Sequence, residues 1–165
     1  GKTSHPGIEL SINSSLWNSL NYKNNIITEV YFSKNWHKFI EFINEGNIYS
    51  DNYLTGVPVY TINKNTTFKV NKIKATINFN KIGKIPINDS NEEYSKPYMI
   101  WNIKMSKLFK IDKININIIA GVKNMFNEKY ASMILINAKG FGGKNPRYYY
   151  PGLPRNYFIS LNLKV

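Results

Sequence analysis

The sequence predicts an all-β fold: an antiparallel transmembrane β-barrel segment of about seven strands. Three observations carry that expectation. Apolar and polar residues alternate with period two over much of the chain. The alternating segments are mostly about 9–12 residues long, where a globular strand usually needs about 5–6 and a tilted strand crossing a bilayer about 9–11. The connections alternate between short and long, which sorts turns to one side and loops to the other. A soluble sandwich has no reason to sort its loops this way.

Taken in order, Ile8, Leu10 and Ile12 oppose Glu9, Ser11 and Asn13. Successive strand side chains point to opposite faces, so one face is apolar and the other polar. Weaker strands are expected near 25–33 and 59–70. On the second, the apolar face runs Tyr60, Ile62, Lys64, Thr66, Phe68, Val70. Lys64 would then point at lipid, costing about 2–4 kcal/mol at the midplane and little near an interface. Either the strand is shifted, a bulge flips its faces, or the membrane reading fails at this strand. Residues 72–81 set Ile73, Ala75, Ile77 and Phe79 against Lys72, Lys74, Thr76, Asn78 and Asn80. Residues 98–107 set Met99, Trp101, Ile103 and Met105 against Asn102, Lys104 and Ser106. Residues 114–123 set Ile114, Ile116, Ile118, Ala120 and Val122 against Asn115, Asn117, Ile119, Gly121 and Lys123. The last segment alternates Tyr157, Ile159, Leu161, Leu163 and Val165 with Phe158, Ser160, Asn162 and Lys164. Short connections fall near 18–24, 70–72 and 109–113, and long ones near 34–57, 87–96 and 135–152. Residues 34–46 are ambiguous: Trp36, Phe39, Ile40 and Ile43 sit at helical spacing before Gly46, a possible cap, yet they could equally extend a strand.

Composition excludes much. The chain has 165 residues, 42% of them apolar, which suits one domain and is not the composition of disorder. There are no cysteines and only His5 and His37, so disulfides and thiolate zinc sites are excluded and a multi-histidine metal site is not expected. No run reaches 18 apolar residues, so no transmembrane helix is expected. Gly1-Lys2-Thr3-Ser4 lacks a signal peptide, so an exported protein would have lost it by processing or truncation. The net charge is +12, and 20 of the 22 basic residues are Lys. Lys, Ile and Asn together make 68 of 165 residues, and all three have AT-rich codons. Codon bias thus accounts for much of the charge without an anionic partner; attraction to nucleic acid or a membrane surface is the other account.

No catalytic constellation is legible, so neither an enzyme nor a bound cofactor is expected. The ten carboxylates are dispersed, and Glu92 and Glu93 would point opposite ways in an extended segment. There is no Gly-x-Ser-x-Gly elbow and no phosphate-binding loop. Gly140-Phe141-Gly142-Gly143 is Gly-rich but opens no helix pattern, as a loop tip would be. His37 beside Trp36 is a candidate ligand contact against a solvated loop histidine. Nucleic-acid binding is not expected, because the lysines are scattered rather than interleaved with aromatics. The most distinctive run is Tyr148-Tyr149-Tyr150-Pro151-Gly152-Leu153-Pro154-Arg155. It reads either as interfacial aromatics with a turn or as a loop whose Tyr and Arg groups meet an anionic ligand. Arg147 and Arg155 are the only arginines, so lysine-favouring codon bias does not explain them.

Four stretches resemble the C-terminal part of a TonB-dependent outer-membrane receptor of the siderophore or iron-complex type. His5-Pro6-Gly7-Ile8-Glu9-Leu10 is similar to a Gly-x-Glu-Leu strand start. Gly56-Val57-Pro58 is similar to a Pro-Gly-Val-Pro element, with Thr55 in place of the first Pro. Gly121-Val122-Lys123-Asn124-Met125-Phe126-Asn127-Glu128-Lys129-Tyr130-Ala131 resembles the Asn-Leu-Phe-Asn/Asp-x-x-Tyr signature. Arg147-Tyr148-Tyr149-Tyr150-Pro151-Gly152 through Pro154-Arg155, followed by an alternating strand, resembles the family ending, although Val165 stands where an aromatic is usual.

The resemblance implies that residues 1–165 are the C-terminal portion of a 22-stranded barrel, a fragment with the plug domain absent. It implies uptake of a ferric siderophore or related iron complex by TonB-coupled active transport in the bacterial outer membrane. Partners would be outer-membrane lipid, the iron complex, and the TonB system through the missing plug. Loops 34–57, 87–96 and 135–152 would be extracellular, and 38–53 an extended hairpin tip rather than a helix. Asn78, Asn102, Lys104, Asn115 and Asn117 would face the lumen. Candidate ligand contacts are Arg147, Tyr149, Arg155 and His37. Asn124, Phe126, Asn127, Tyr130, Pro151, Gly152 and Pro154 carry the family motifs. The competing expectation is a soluble β-barrel or sandwich that binds a small molecule or nucleic acid.

Overall fold

Alternation along the chain becomes a single dominant sheet in space. The structure is a computed structural model and describes residues 1–21, 23–140 and 142–164. Its strands are β1 (Lys2–Ser4), β2 (Gly7–Asn18), β3 (Asn25–Asn35), β4 (Lys38–Glu41), β5 (Ile43–Asn44), β6 (Asn47–Ile48), β7 (Tyr60–Val70), β8 (Ile73–Ile82), β9 (Tyr98–Ile111), β10 (Ile114–Lys123), β11 (Ala131–Ile134), β12 (Tyr149–Pro151) and β13 (Asn156–Lys164). No helix occurs among the described residues. The seven long strands form one antiparallel sheet in the order β2-β3-β7-β8-β9-β10-β13, an up-and-down meander.

Register decides which residues share a face, because directly paired residues lie on the same side. One row runs Ile12, Val30, Lys64, Phe79, Trp101. The next row on the opposite face runs Asn13, Glu29, Asn65, Asn78, Asn102. Followed through all seven strands, every Asp, Glu and Asn of the sheet falls on the second face. Lys64 sits squarely in the apolar row: the β3–β7 and β7–β8 ladders run without a register shift. Neither a shifted strand nor a bulge explains it. Among the described residues the large sheet shifts register in β2, between Ser15 and Trp17.

Two of the short connections are tighter than expected. β7 and β8 are joined by residues 71–72, and β9 and β10 by residues 112–113. Asn71 and Asp112 take φ of 53° and 49°, a left-handed conformation that Asn and Asp tolerate best after Gly. Phe109 and Ile111 continue the β9 alternation, so the expected 109–113 turn shrinks to two residues. The third short connection spans 19–24, of which Tyr22 lies outside the described residues.

The long connections, 36–59, 83–97 and 124–155, all leave the same end of the sheet. The ambiguous 34–46 segment is extended: β3 runs to Asn35, β1 pairs with β4, and β5 with β6. Glu45 and Gly46 turn that hairpin with φ of 49° and 81°. Helical spacing of Phe39, Ile40 and Ile43 loses there to strand pairing.

The apolar face has nothing packed against it. Long strands contact only their sheet neighbours. Tyr157, Ile159, Leu161 and Leu163 are 71%, 78%, 59% and 63% exposed, and Ile8, Leu10 and Ile12 are about as open. The only fully buried large side chains among the described residues are Pro86 and Ile87, in a loop. A soluble sandwich would bury these apolar rows against a second sheet. The sheet's two edges, β2 and β13, do not meet.

Candidate functional site

The three long connections meet above one end of the sheet and bond to one another. Asp89 is their hub: its carboxylate accepts from Thr55 Oγ1 and, at 3.0 Å, from Asn137 Nδ2, while its backbone N–H donates to Asn137 Oδ1 at 3.0 Å. The Asp89 carbonyl accepts from Asn52 Nδ2 at 2.7 Å. Asn91 reads the backbone of Tyr53 in both directions, accepting from its N–H at 2.7 Å and donating to its carbonyl at 3.0 Å. Backbone bonds from Gly56 to Pro86 and from Asn137 to Ile87 close the cluster over the buried Pro86 and Ile87. Glu45 at the hairpin tip pairs with Lys139 at 3.1 Å, both well exposed, so the pair adds little to stability.

The motif residues form a second knot, where the 124–155 connection leaves β10 and rejoins β13. Asn124 is 3% exposed. Its amide donates to the carbonyls of Glu128 at 2.8 Å and Leu153 at 3.0 Å, and its oxygen accepts from Glu128 N–H at 2.8 Å. Its own N–H donates to Asn102 Oδ1 at 2.9 Å, which ties the knot to the polar face. Asn127 Oδ1 accepts the Arg155 N–H at 2.9 Å. Asn124 and Asn127 both take left-handed φ, 50° and 56°, which suits Asn. Tyr130 lies flat over Gly152, where a Cβ would come within 2.2 Å of its ring. Pro151 pairs with Ala131 across β11 and β12, and Pro154 accepts from the Asn156 amide. Phe126 turns outwards, 66% exposed, with its ring edge-on to Trp101 at 6.4 Å.

Between the two knots lies an open cleft of about 400 Å³, lined by Lys96, Tyr98, Glu128, Lys129, Tyr130 and Tyr149 among others. Burial pushes the Tyr149 hydroxyl above its ordinary value, helped by nearby Glu93 and Tyr148. The Tyr94 hydroxyl is likewise raised, by burial and then by Tyr53. Of the four candidate ligand contacts, only Tyr149 lines this cleft. Arg147 and Arg155 are exposed on either side of β12. His37 is elsewhere, at the loop end of the β2–β3 hairpin, edge-on to His5 with ring centroids 4.9 Å apart. Among the described residues no three His, Asp or Glu gather as metal ligands would.

Asn78, Asn102, Lys104, Asn115 and Asn117 share the polar face with Asn13 and Asn65, as the alternation predicts. Asn102 donates to Asn78 at 2.8 Å, and Asn78 to Asn65 at 2.8 Å, a chain of amides across three strands. The face is concave beside it: Asn65, Thr76, Asn78, Asn102, Lys104 and Phe158 border a hollow of about 240 Å³. Phe158 folds over Gly121, whose missing Cβ leaves the ring its place. Sequence reasoning missed Asp89, Asn91 and Asn137 as the residues that unite the loops. Val165 and Phe141 lie outside the described residues.

No family model matches the chain, and no curated protein matches it. Among solved structures, it is similar to the siderophore receptor PiuA from Acinetobacter baumannii, with TM-score 0.72 and 15% identity over 96% of this chain and 21% of that one. It is also similar to BauA, the ferric preacinetobactin receptor from the same organism, with TM-score 0.62 and 13% identity over 98% of this chain and 26% of that one. The chain thus spans about a fifth to a quarter of the length of these receptors. At such identities the likeness establishes the fold.

Proposed function

We propose that this chain is a C-terminal wall segment, with its outer loops, of an outer-membrane receptor that imports a ferric siderophore or related iron complex by TonB-coupled transport. The observation that carries the proposal is the seven-strand meander with one bare apolar face, one amide-rich concave face, and every long connection at one end. That arrangement suits lipid on one side and a watery lumen on the other. An edge left open in hydrocarbon would strand backbone donors and acceptors, so β2 and β13 need further strands to pair with. The structural neighbours supply a precedent: both are receptors for siderophores or their ferric complexes.

In this reading the loop end is extracellular. The Asp89 and Asn124 knots hold the 36–59, 83–97 and 124–155 connections in one arrangement, so the cleft is ready-made. Tyr149 in the cleft, with Arg147 and Arg155 flanking β12, offers hydroxyl and guanidinium groups to an anionic iron complex, and His37, set apart beside His5, adds an imidazole at the same loop end. Asn78, Asn102, Lys104, Asn115 and Asn117 face the lumen or plug. The TonB system acts on a plug outside this segment. No bond of the cargo is made or broken; the work is transport.

The test is fractionation followed by uptake. Expressed with its natural upstream sequence, the protein should stay in the outer-membrane pellet after a carbonate wash. Iron-limited cells lacking the gene should lose uptake of a radiolabelled ferric siderophore. Recovery of the protein in the soluble fraction would remove the proposal.

A further inference from the structure

We propose that Lys34, Lys64 and Lys81 form a docking site on the apolar face for the phosphate group of an outer-leaflet lipid. The inference rests on the membrane reading above. It begins from Lys64, which the register places in an apolar row with no irregularity to rescue it. Two more lysines share its face and its half of the sheet. Lys34 pairs with Tyr60 at the loop end of β3 and β7, and Lys81 pairs with Ile62 at the loop end of β8. Strands lie about 4.8 Å apart and alternate residues about 6.6 Å along, so the Lys64 and Lys81 Cα atoms are about 8 Å apart. Lys34 lies about 12 Å from Lys81 by the same measure. Lys34 and Lys64 are the widest pair, about 14 Å apart, so the three lysines border one patch.

Charge on this face is one-sided. Among the described residues the seven strands place no Asp or Glu on it; Glu9 and Glu29 belong to the polar face. Lysines bared to lipid without a counter-charge are costly, and the cost is relieved where the chain can reach a headgroup. Aromatic rings line the patch as they do at a membrane interface. The Lys81 ammonium lies 5.8 Å from the Tyr60 ring centroid and Lys34 lies 5.8 Å from that of Trp36. Tyr60 leans over Gly83, which has no Cβ to hold it off. An acyl chain would lie on Phe32, Ile62 and Phe79 while its phosphate meets the lysines. A zwitterionic headgroup would bring its own cation, so net-anionic phosphate lipid is the matched occupant.

The experiment uses the full-length protein extracted from outer membranes in mild detergent. Native mass spectrometry with added dioleoyl phosphatidylglycerol or dioleoyl phosphatidylcholine reads lipid adducts, and a phosphate assay reads co-purified lipid. Wild type should hold the anionic lipid at least tenfold more tightly than the zwitterionic one. K34Q/K64Q/K81Q should abolish that preference, while K34R/K64R/K81R should keep it. K107Q removes a lysine from the same face at the short-turn end and should change nothing. Should the triple Gln variant fail to assemble, K34Q and K81Q singly, at strand ends, should each weaken anionic binding at least threefold. Equal binding of both lipids by membrane-inserted wild type, or full preference in the Gln variants, overturns the site and leaves the receptor reading intact. Wild type found outside the membrane overturns the receptor reading and the site with it.

Discussion

Asn124 spends its whole side chain on the backbone, holding two carbonyls and one N–H in a place water barely reaches. Asn124→Ala leaves those three groups unpartnered and should cost about 3 kcal/mol, seen as a lower urea midpoint for the detergent-folded protein. Gly152→Ala acts by volume instead. Its Cβ would enter the Tyr130 ring, so the ring must move at a cost of about 1–3 kcal/mol. A Tyr130→Ala background should recover most of that loss, which distinguishes the clash from a backbone effect. Tyr149 makes a pH statement. Its hydroxyl titrates above the ordinary 10.0 because burial, then Glu93 and Tyr148, disfavour the anion. Over that interval the folded state keeps a proton that the unfolded state has released. Stability is therefore unaffected below pH 10 and falls as pH rises beyond it. Absorbance at 295 nm should show a late-ionising tyrosine that Tyr149→Phe removes.

At the scale of elements, the loops behave as one body because Asp89 joins them. Asp89→Ala releases Thr55 and Asn137, and amide exchange in 52–57 and 134–138 should quicken about tenfold, while β8 and β9 stay protected. Such an outcome would show that the loops open without the wall. The long strands were legible because alternation is local: Ile114 to Lys123 announces both faces without reference to any neighbour. Their ends were less so; β9 continues through Phe109 and Ile111, inside the span 109–113 where the sequence suggested a turn. The small hairpins were illegible by pattern, since Phe39, Ile40 and Ile43 suit a helix face as well as a strand. The loop hub was illegible for a different reason. Thr55 and Asn137 stand 34 and 48 residues from Asp89, and nothing local marks them as partners. His5 and His37 meet only because the β2–β3 register brings them level. The resemblance singled out Asn124, Asn127, Tyr130 and Gly152, and no local pattern foretold their geometry: two left-handed turns, one buried amide, and one ring against a bare backbone.

For the whole molecule, the decisive property is that its two faces differ in kind while neither is buried. In water a sheet with one bare apolar side would seek a second layer or aggregate. In a bilayer the same side is solvated by acyl chains, and the polar side needs only its own amide chain and water. The two environments make opposite demands on alternate residues, and residues 1–165 hold no native thiol to compete with an introduced label. Spin labels introduced one at a time along β10 and β13 of the membrane-inserted full-length protein should alternate strictly. At Ile116, Ile118, Leu161 and Leu163 relaxation should respond to oxygen, which concentrates in lipid. At Asn115, Asn117, Ser160 and Asn162 it should respond to a water-soluble nickel chelate. Register adds a sharper demand: with strands tilted by about 35–45°, the pairs Ile118–Leu161 and Ile116–Leu163 should each show the same depth offset of about 3 Å, the second pair lying one row nearer the short turn. A pattern in which both faces favour oxygen, or in which the two pairs differ in their depth offset, would contradict a lipid-facing wall built in this register.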